Sequence, residues 1–126
     1  MARQNNIMAN ILLVDDSASM REMVSFTLKG VGHKVNEAED GVEALEFAKD
    51  AAVDLVITDV NMPNMDGITL TAELRKLDSY KFIPILILTT ETGSVRKEQG
   101  KVAGATGWIE KPFDPDHLLG TINRVL

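Results

Sequence analysis

Short apolar runs recur along the chain, and segments with helical periodicity separate them. Residues 11–14, 54–59 and 84–89 are largely apolar, as in strands that are buried on both faces of a sheet. Weaker strand patterns occupy 34–38 and 107–110, and the first of these alternates like an edge strand. Strands that alternate with helices predict a parallel sheet with helices on both faces. We therefore predict an α/β fold, a doubly wound five-stranded parallel sheet with five helices.

The helical segments carry their own start signals. Ser19 and Glu22 fit a capping box at the start of the first helix. Asp40 and Asp114 stand where they can cap the second and fifth helices. The third and fourth helices are predicted over roughly 69–77 and 92–102. The buried stripe of the first helix is predicted at Met20, Met23, Val24, Thr27 and Leu28.

Composition and charge exclude several classes of protein. A chain of 126 residues has the size of one domain, which we place at 11–126 after a polar N-terminal extension at 1–10. A formal charge of −6 disfavours nucleic acid or an anionic membrane surface as a partner. The sequence has no cysteine for a thiol nucleophile or a zinc site. No apolar stretch approaches the roughly 20 residues of a membrane span. We therefore expect a cytoplasmic, monomeric domain.

Chemically reactive side chains stand where the predicted strands end. The first strand ends at Asp15 and Asp16, the third at Asp59, the fourth at Thr89 and the fifth at Lys111. Ligands of doubly wound sheets bind at this carboxyl edge. Three neighbouring carboxylates repel one another unless a cation lies between them, and Mg²⁺ prefers oxygen ligands of this kind. A lysine and a hydroxyl beside them suit a phosphoryl group, with Asp59 as the nucleophile.

These motifs and their spacing resemble those of receiver domains in two-component response regulators. The resemblance covers the chain from Ile11 onward and extends to the single-domain receivers of chemotaxis systems. The matching residues are Asp15-Asp16, Asp59, Met62-Pro63, Asp66-Gly67, Thr89, Gly104-Ala105, Gly107 and Lys111-Pro112-Phe113. The resemblance implies a flavodoxin-like fold with strand order 2-1-3-4-5. It also implies a cis peptide bond between Lys111 and Pro112.

The resemblance implies a role for each residue at the carboxyl edge. Asp59 is expected to accept a phosphoryl group from the phosphohistidine of a sensor histidine kinase. Mg²⁺ is expected to be bound by Asp16, by Asp59 and by the backbone carbonyl of Asn61, while Asp15 acts through a water molecule. Lys111 is expected to pair with the phosphoryl oxygens. The chain is then a phosphoacceptor with its own phosphorylation and dephosphorylation chemistry, and not an enzyme.

The resemblance also implies how phosphorylation changes the protein. Thr89 is expected to hydrogen-bond the phosphoryl group, and Trp108 to shift inward. These movements alter an output face formed by the fourth helix, the fifth strand and the fifth helix. Asn61, Thr90 and Glu91 occupy positions that modulate the loss of the phosphoryl group in this family.

The sequence does not identify the downstream protein target. The family implies a target on the output face, and for chemotaxis receivers this target includes the flagellar switch. Receivers that bind the motor carry several small or apolar residues there, whereas this chain has Lys97, Lys101 and Glu110. The alternative is therefore a phosphate sink or a phosphorelay intermediate that does not contact the motor.

Two other functions fit parts of the pattern. A Mg²⁺-dependent phosphohydrolase also works through an aspartyl phosphate, but such enzymes usually place an acid two residues after the nucleophile, where this chain has Asn61. An FMN-binding electron carrier needs a phosphate loop after the first strand, and Asp15 and Asp16 would repel that phosphate. His33 and His117 have no metal-ligand spacing and are predicted to lie on the surface.

Overall fold

The computed structural model describes residues 8–126, so residues 1–7 of the predicted N-terminal extension lie outside the described residues. Within the described part, strands and helices alternate along the chain. The strands are β1 (Asn10–Val14), β2 (Lys34–Ala38), β3 (Leu55–Thr58), β4 (Ile85–Thr89) and β5 (Gly107–Glu110). The α-helices are α1 (Ala18–Gly30), α2 (Gly41–Asp50), α3 (Gly67–Leu74), α4 (Ser94–Ala103) and α5 (Pro115–Val125). A short 3₁₀ helix over Asp78–Tyr80 precedes β4.

The strands form one parallel sheet in the order β2-β1-β3-β4-β5, which confirms the predicted fold class. The register places Val14 beside Ala38 on one side and beside Thr58 on the other. Thr89 pairs with Glu110 at the ends of β4 and β5. Because the paired strands end level with one another, the residues that follow them gather at one edge of the sheet.

Apolar layers cover both faces of the sheet because successive strand residues point to opposite sides. Ile11 and Leu13 of β1 belong to a core that also contains residues of α1 and α5. Leu12 and Val14 belong to the core on the other face, with residues of α2 and α3. Burial on both sides explains the unbroken apolar sequence of the central strands. The alternating strand β2 lies at the edge of the sheet, as predicted.

The start of α1 differs from the capping-box prediction. The N-cap is Ser17, whose hydroxyl oxygen accepts a hydrogen bond from the Met20 N–H at 3.3 Å. Ser17 occupies this position because its own N–H bonds the Asp15 carboxylate at 2.9 Å, which turns the chain from the strand into the helix. Ser19 and Glu22 lie inside the helix and do not form the predicted box.

The predicted caps of two other helices are confirmed. Asp40 accepts a hydrogen bond from the Glu43 N–H at 2.8 Å, and Asp114 accepts one from the Asp116 N–H at 3.2 Å. The bond from Glu43 stabilises the ionised form and is the main reason that the pKa of Asp40 lies below its ordinary value. Met23, which was predicted to lie in the buried stripe of α1, is exposed.

Arg75 ties the end of α3 to two loops. Its guanidinium donates hydrogen bonds to the carbonyl oxygens of Tyr80 at 2.8 Å and Ile83 at 2.6 Å, and two to Gly104 at 2.7 and 3.1 Å. Burial lowers the pKa of Arg75 below its ordinary value. The α3 helix ends just before this residue, at Leu74, and is therefore shorter than the predicted helix over 69–77 at its C-terminal end.

His33 is buried, so the prediction of a surface position for it is wrong. Its Nδ1 accepts a hydrogen bond from the Ala9 N–H at 3.0 Å, which attaches the residue before β1 to the turn between α1 and β2. Burial lowers the pKa of His33 and so favours the neutral imidazole that can accept this bond. His117 is exposed, as predicted.

Within residues 8–126, no helix combines the length and the apolar character that are needed to cross a bilayer.

Candidate functional site

The carboxyl edge of the sheet brings together three carboxylates and one ammonium group. One oxygen from each of Asp15, Asp16 and Asp59 lies within 4.8 Å of the other two. The Lys111 Nζ donates hydrogen bonds to Asp15 Oδ2 at 2.7 Å and to Asp59 Oδ2 at 3.1 Å. The structure thus gathers four of the residues that were predicted from the strand ends to share one site.

The sheet register positions these side chains. The Asp59 N–H donates to the carbonyl oxygen of Val14 at 2.9 Å, which holds the residue after β3 beside the end of β1. The Lys111 N–H donates to the carbonyl oxygen of Thr89 at 2.8 Å, which holds the residue after β5 beside the end of β4. The peptide bond between Lys111 and Pro112 is cis.

The surroundings of Asp59 fix both its side chain and its backbone. Its Oδ1 accepts a hydrogen bond from the Val60 N–H at 2.7 Å, while the Thr58 hydroxyl donates to its carbonyl oxygen at 2.9 Å. Gly67, the first residue of α3, packs directly against that carbonyl, and a Cβ at this position would overlap the oxygen. The side chain of Asp59 is 12% exposed, so a reacting group can still reach it.

The three acids differ in their exposure. Asp15 is buried, Asp59 is partly buried and Asp16 is exposed. Their oxygens form a donor set without nitrogen or sulfur, which is the set that hard cations such as Mg²⁺ prefer. Asn61 lies two residues after Asp59 and is exposed in the loop before α3. The chemistry and the convergence of these carboxylates therefore fit a magnesium ion.

Lys111 keeps its charge although its side chain is only 8% exposed. Burial alone disfavours the ammonium group, but the hydrogen bond to Asp15 and the charges of both carboxylates outweigh it and raise the pKa of Lys111 above its ordinary value. The ion pairs therefore stabilise the fold throughout the neutral range. The contribution of the raised lysine pKa is lost as the pH rises past the ordinary lysine pKa and through the raised one.

The two predicted switch residues bond the same neighbouring residue. The buried hydroxyl of Thr89 accepts a hydrogen bond from the Glu91 N–H at 3.2 Å. The indole N–H of Trp108 donates to the Glu91 carbonyl oxygen at 3.1 Å, and its ring packs against Gly100 of α4. Thr90, which lies between Thr89 and Glu91, is exposed. The backbone of Glu91 thus connects Thr89 to Trp108.

Several supporting residues were missed in the sequence. Ser17 and Arg21 bond Asp15 from the start of α1, and Gly67 packs beneath Asp59. The Asp66-Gly67 pair is typical of a turn and so indicates that glycine is needed at this position, but it does not show which atoms Gly67 contacts. An arginine at the start of a helix gives no comparable signal, because its partners depend on how the strand ends are arranged, whereas the Ser17 bond joins residues that are only two apart.

We expect the substitution Lys111→Met to lower the free energy of unfolding by about 3 kcal/mol when no divalent cation is present. The reason is that Asp15 and Asp59 would then remain close together and largely buried without a compensating cation. Added Mg²⁺ should restore more stability to this variant than to the wild type, because it binds the folded carboxylates. Urea unfolding followed by circular dichroism, with and without MgCl₂, measures both effects.

Lys101→Met is the matched control, since Lys101 is an exposed lysine of α4. An equal loss of stability in the two variants would contradict the expected role of the ion pairs.

Residues 11–123 match the family described as the response regulator receiver domain. The match covers nearly the whole chain and the whole carboxyl edge, so the chain belongs to this family of signalling proteins. A chemotaxis protein CheY homolog from Campylobacter jejuni is 41% identical over 118 residues, which cover 92% of this chain and 91% of that protein.

Solved structures agree with this assignment. Chemotaxis protein CheY4 of Vibrio cholerae has 52% sequence identity and a TM-score of 0.90, and the match covers 95% of this chain and 100% of that one. The receiver domain of a sensor histidine kinase from Pseudomonas aeruginosa has 27% identity and a TM-score of 0.87, covering 94% and 98% of the two chains. That structure has a magnesium ion coordinated in its active-site cleft.

Proposed function

We propose that this receiver is the phosphorylation-dependent switch of a two-component, chemotaxis-type system and that Asp59 accepts the phosphoryl group. One observation carries the proposal: the Lys111 Nζ bridges Asp15 Oδ2 and Asp59 Oδ2, at 2.7 and 3.1 Å, beside the exposed carboxylate of Asp16. A nucleophilic carboxylate, a fixed cation and a cluster of oxygen ligands are the components that phosphoryl transfer requires.

In the proposed reaction, the donor is a phosphohistidine of a sensor histidine kinase. A carboxylate oxygen of Asp59 attacks the phosphorus atom, and the bond between phosphorus and the imidazole nitrogen breaks. The imidazole keeps the electron pair of that bond, and the proton on its other nitrogen makes it a neutral leaving group. The Lys111 ammonium group already bonds Asp59. It can therefore donate hydrogen bonds to the phosphoryl oxygens and stabilise their negative charge during the transfer.

The same residues would hold Mg²⁺. We assign Asp16, Asp59 and the backbone carbonyl of Asn61 as ligands, with Asp15 acting through a water molecule. A bound magnesium ion would neutralise charge on the carboxylates and on the phosphoryl oxygens. The acid cluster supports this assignment because its oxygens converge within 4.8 Å of one another.

The shared bonds to Glu91 support a route from the site to the output face. The Thr89 hydroxyl oxygen accepts a bond from the Glu91 N–H and keeps its own proton free to donate. If the Thr89 hydroxyl turns towards a phosphoryl oxygen, the Glu91 N–H loses its acceptor. The Glu91 backbone can then move, which changes the hydrogen bond that its carbonyl oxygen accepts from Trp108. Phosphorylation then favours one arrangement of the loop over the other by its differential contacts. Thr90 and Glu91, with Asn61, would set how long the phosphoryl group lasts.

The output target is a protein that binds the face formed by α4, β5 and α5. Lys97 of α4 and Glu110 of β5 form an ion pair across this face, with a distance of 3.1 Å between Nζ and Oε2. This charged pair favours a second candidate function, a phosphate sink or relay intermediate that does not contact the flagellar switch. Transfer of the phosphoryl group back to the kinase would distinguish this function from motor binding.

We further propose that a receiver domain over residues 11–126 follows an N-terminal extension over residues 1–10, although β1 already begins at Asn10. The family match over residues 11–123 supports this boundary.

The test of the proposed function is the intact mass of the protein after incubation with acetyl phosphate. We expect the wild type to gain the mass of one phosphoryl group in the presence of MgCl₂, and to gain none after treatment with a chelator. Asp59→Asn should gain none under either condition, because the amide is not a nucleophile of this kind.

Asp54→Asn is the matched control, since Asp54 is an exposed carboxylate at the opposite end of β3. A wild type that binds Mg²⁺ but gains no mass would overturn the proposal, as would an Asp59→Asn variant that is phosphorylated like the control.

A further inference from the structure

Arg21 folds back from the first turn of α1 onto the carboxyl edge of the sheet. Its Nη1 donates a hydrogen bond to the backbone carbonyl of Asp15 at 2.7 Å. Its Nε bonds Glu37 Oε1 at 3.3 Å, and its Nη2 lies 4.0 Å from Glu39 Oε1. The Arg21 side chain is only 14% exposed. One guanidinium therefore joins α1, the end of β1 and the end of β2.

The polar groups of Asp15 all have partners within the described chain. Its N–H donates to the carbonyl oxygen of Ala38 at 3.1 Å, and its own carbonyl oxygen accepts from Arg21 at 2.7 Å. Its Oδ1 accepts from the Ser17 N–H at 2.9 Å, and its Oδ2 accepts from Lys111 at 2.7 Å. Asp15 is thus fixed through both its backbone and its carboxylate, whereas the exposed Asp16 has no such set of bonds to residues 8–126.

We propose that Arg21 is a positioning residue for the Mg²⁺ site, which it orients by holding the backbone of Asp15. The inference rests on the proposed function for the assignment of that site. Arg21 contacts none of the three carboxylate groups in the bonds described above, so it acts through the peptide that carries Asp15. Glu37 and Glu39 hold the guanidinium in place from β2 and the loop after it.

The sign of the effect on Mg²⁺ affinity separates this role from simple electrostatics. By Coulomb's law, removing a positive charge close to a carboxylate cluster strengthens its attraction for a cation. Loss of positioning does the opposite, because the Asp15 carbonyl loses its donor and the end of β1 can shift. The Asp15 carbonyl belongs to the peptide that leads into Asp16, the assigned direct ligand. Loss of a residue that orients a metal ligand typically weakens metal binding by 10-fold to 100-fold, which exceeds the screened effect of one charge near the surface.

The test is the Mg²⁺ dissociation constant measured by isothermal titration calorimetry on the full chain, for the wild type, Arg21→Ala and Lys29→Ala. Lys29 is a second cation of α1, exposed and two turns further along. We expect Arg21→Ala to bind Mg²⁺ about 10-fold more weakly, and Lys29→Ala to bind it as tightly as the wild type or slightly more tightly.

Arg21→Lys provides the rescue, since an ammonium group can bond the Asp15 carbonyl but cannot also bond Glu37 with a second nitrogen. Its dissociation constant should lie between those of the wild type and Arg21→Ala. Circular dichroism at the titration temperature ensures that only folded variants are compared. The proposal is overturned if folded Arg21→Ala binds Mg²⁺ as tightly as the wild type or more tightly, or if the wild type binds none. Failure of the proposed function is a separate result, namely a wild type that binds Mg²⁺ without gaining a phosphoryl group.

Discussion

Replacing Gly67 with alanine is expected to lower the free energy of unfolding by about 3 kcal/mol or more and to abolish phosphorylation of Asp59 in the molecules that remain folded. The new methyl group would overlap the Asp59 carbonyl oxygen and come within 2.8 Å of the carbonyl carbon. These atoms belong to the backbone, so no side-chain rotation can relieve the contact.

The chain could accommodate this methyl group only by moving α3 or the end of β3. Either movement would strain the hydrogen bond from the Gly67 N–H to the Val60 carbonyl, which measures 2.8 Å. The Val60 N–H in turn bonds Asp59 Oδ1 at 2.7 Å. A displacement at Gly67 therefore reaches the carboxylate that is proposed to react.

Urea unfolding and intact-mass analysis with acetyl phosphate measure the two effects separately. Gly120→Ala is the matched control, because a Cβ at Gly120 in α5 meets no atom within 4 Å. That substitution should be neutral or stabilising by up to about 1 kcal/mol, the difference in helix propensity between the two residues. Equal stability of the two variants would show that the contact beneath Asp59 is unimportant.

Arg75→Ala is expected to cost about 3 to 4 kcal/mol of unfolding free energy with no direct effect on the carboxyl edge. The guanidinium is the donor to the carbonyl oxygens of Tyr80, Ile83 and Gly104. Its removal leaves these acceptors without this donor and opens a space between α3 and the loop after α4. Each buried acceptor that loses its partner costs about 1 kcal/mol or more.

Arg75→Met separates hydrogen bonding from packing, because methionine fills much of the same volume and donates nothing. We expect Arg75→Met to lose most of the stability that Arg75→Ala loses. Thermal and urea unfolding measure the loss, and Arg124→Ala, at an exposed arginine of α5, serves as the control. Full stability in Arg75→Met would mean that the three carbonyl oxygens find water or other donors at no cost.

The strand and helix order was predictable because it depends on local patterns. A parallel strand buried on both faces has to be apolar at every position, and 11–14 and 84–89 carry that pattern without reference to the rest of the chain. The gathering of Asp15, Asp59 and Lys111 followed from the same order, since residues after parallel strands meet at one edge. The identity of the strand neighbours came from the family resemblance and not from periodicity.

The errors have two sources, namely partners that are distant in the sequence and one local turn that the capping pattern did not reveal. His33 is buried because it receives the Ala9 N–H, a partner 24 residues away. The cap of α1 is Ser17 and not Ser19 because the Asp15 carboxylate engages the Ser17 N–H, in a turn between residues that are only two apart. Arg75 and Arg21 look like ordinary surface cations of a helix until their carbonyl partners are known. Local sequence patterns do not contain the contacts of His33 and of the two arginines.

The position of Trp108 has a practical consequence for anyone who works with the protein. It is the single tryptophan of the chain, so the indole emission of a pure sample comes from one place. The indole lies beside the loop that follows Thr89, where its N–H bonds the Glu91 carbonyl oxygen. The protein therefore carries an optical probe between its proposed phosphorylation site and its proposed output face, and rearrangements there can be timed without a dye or a label.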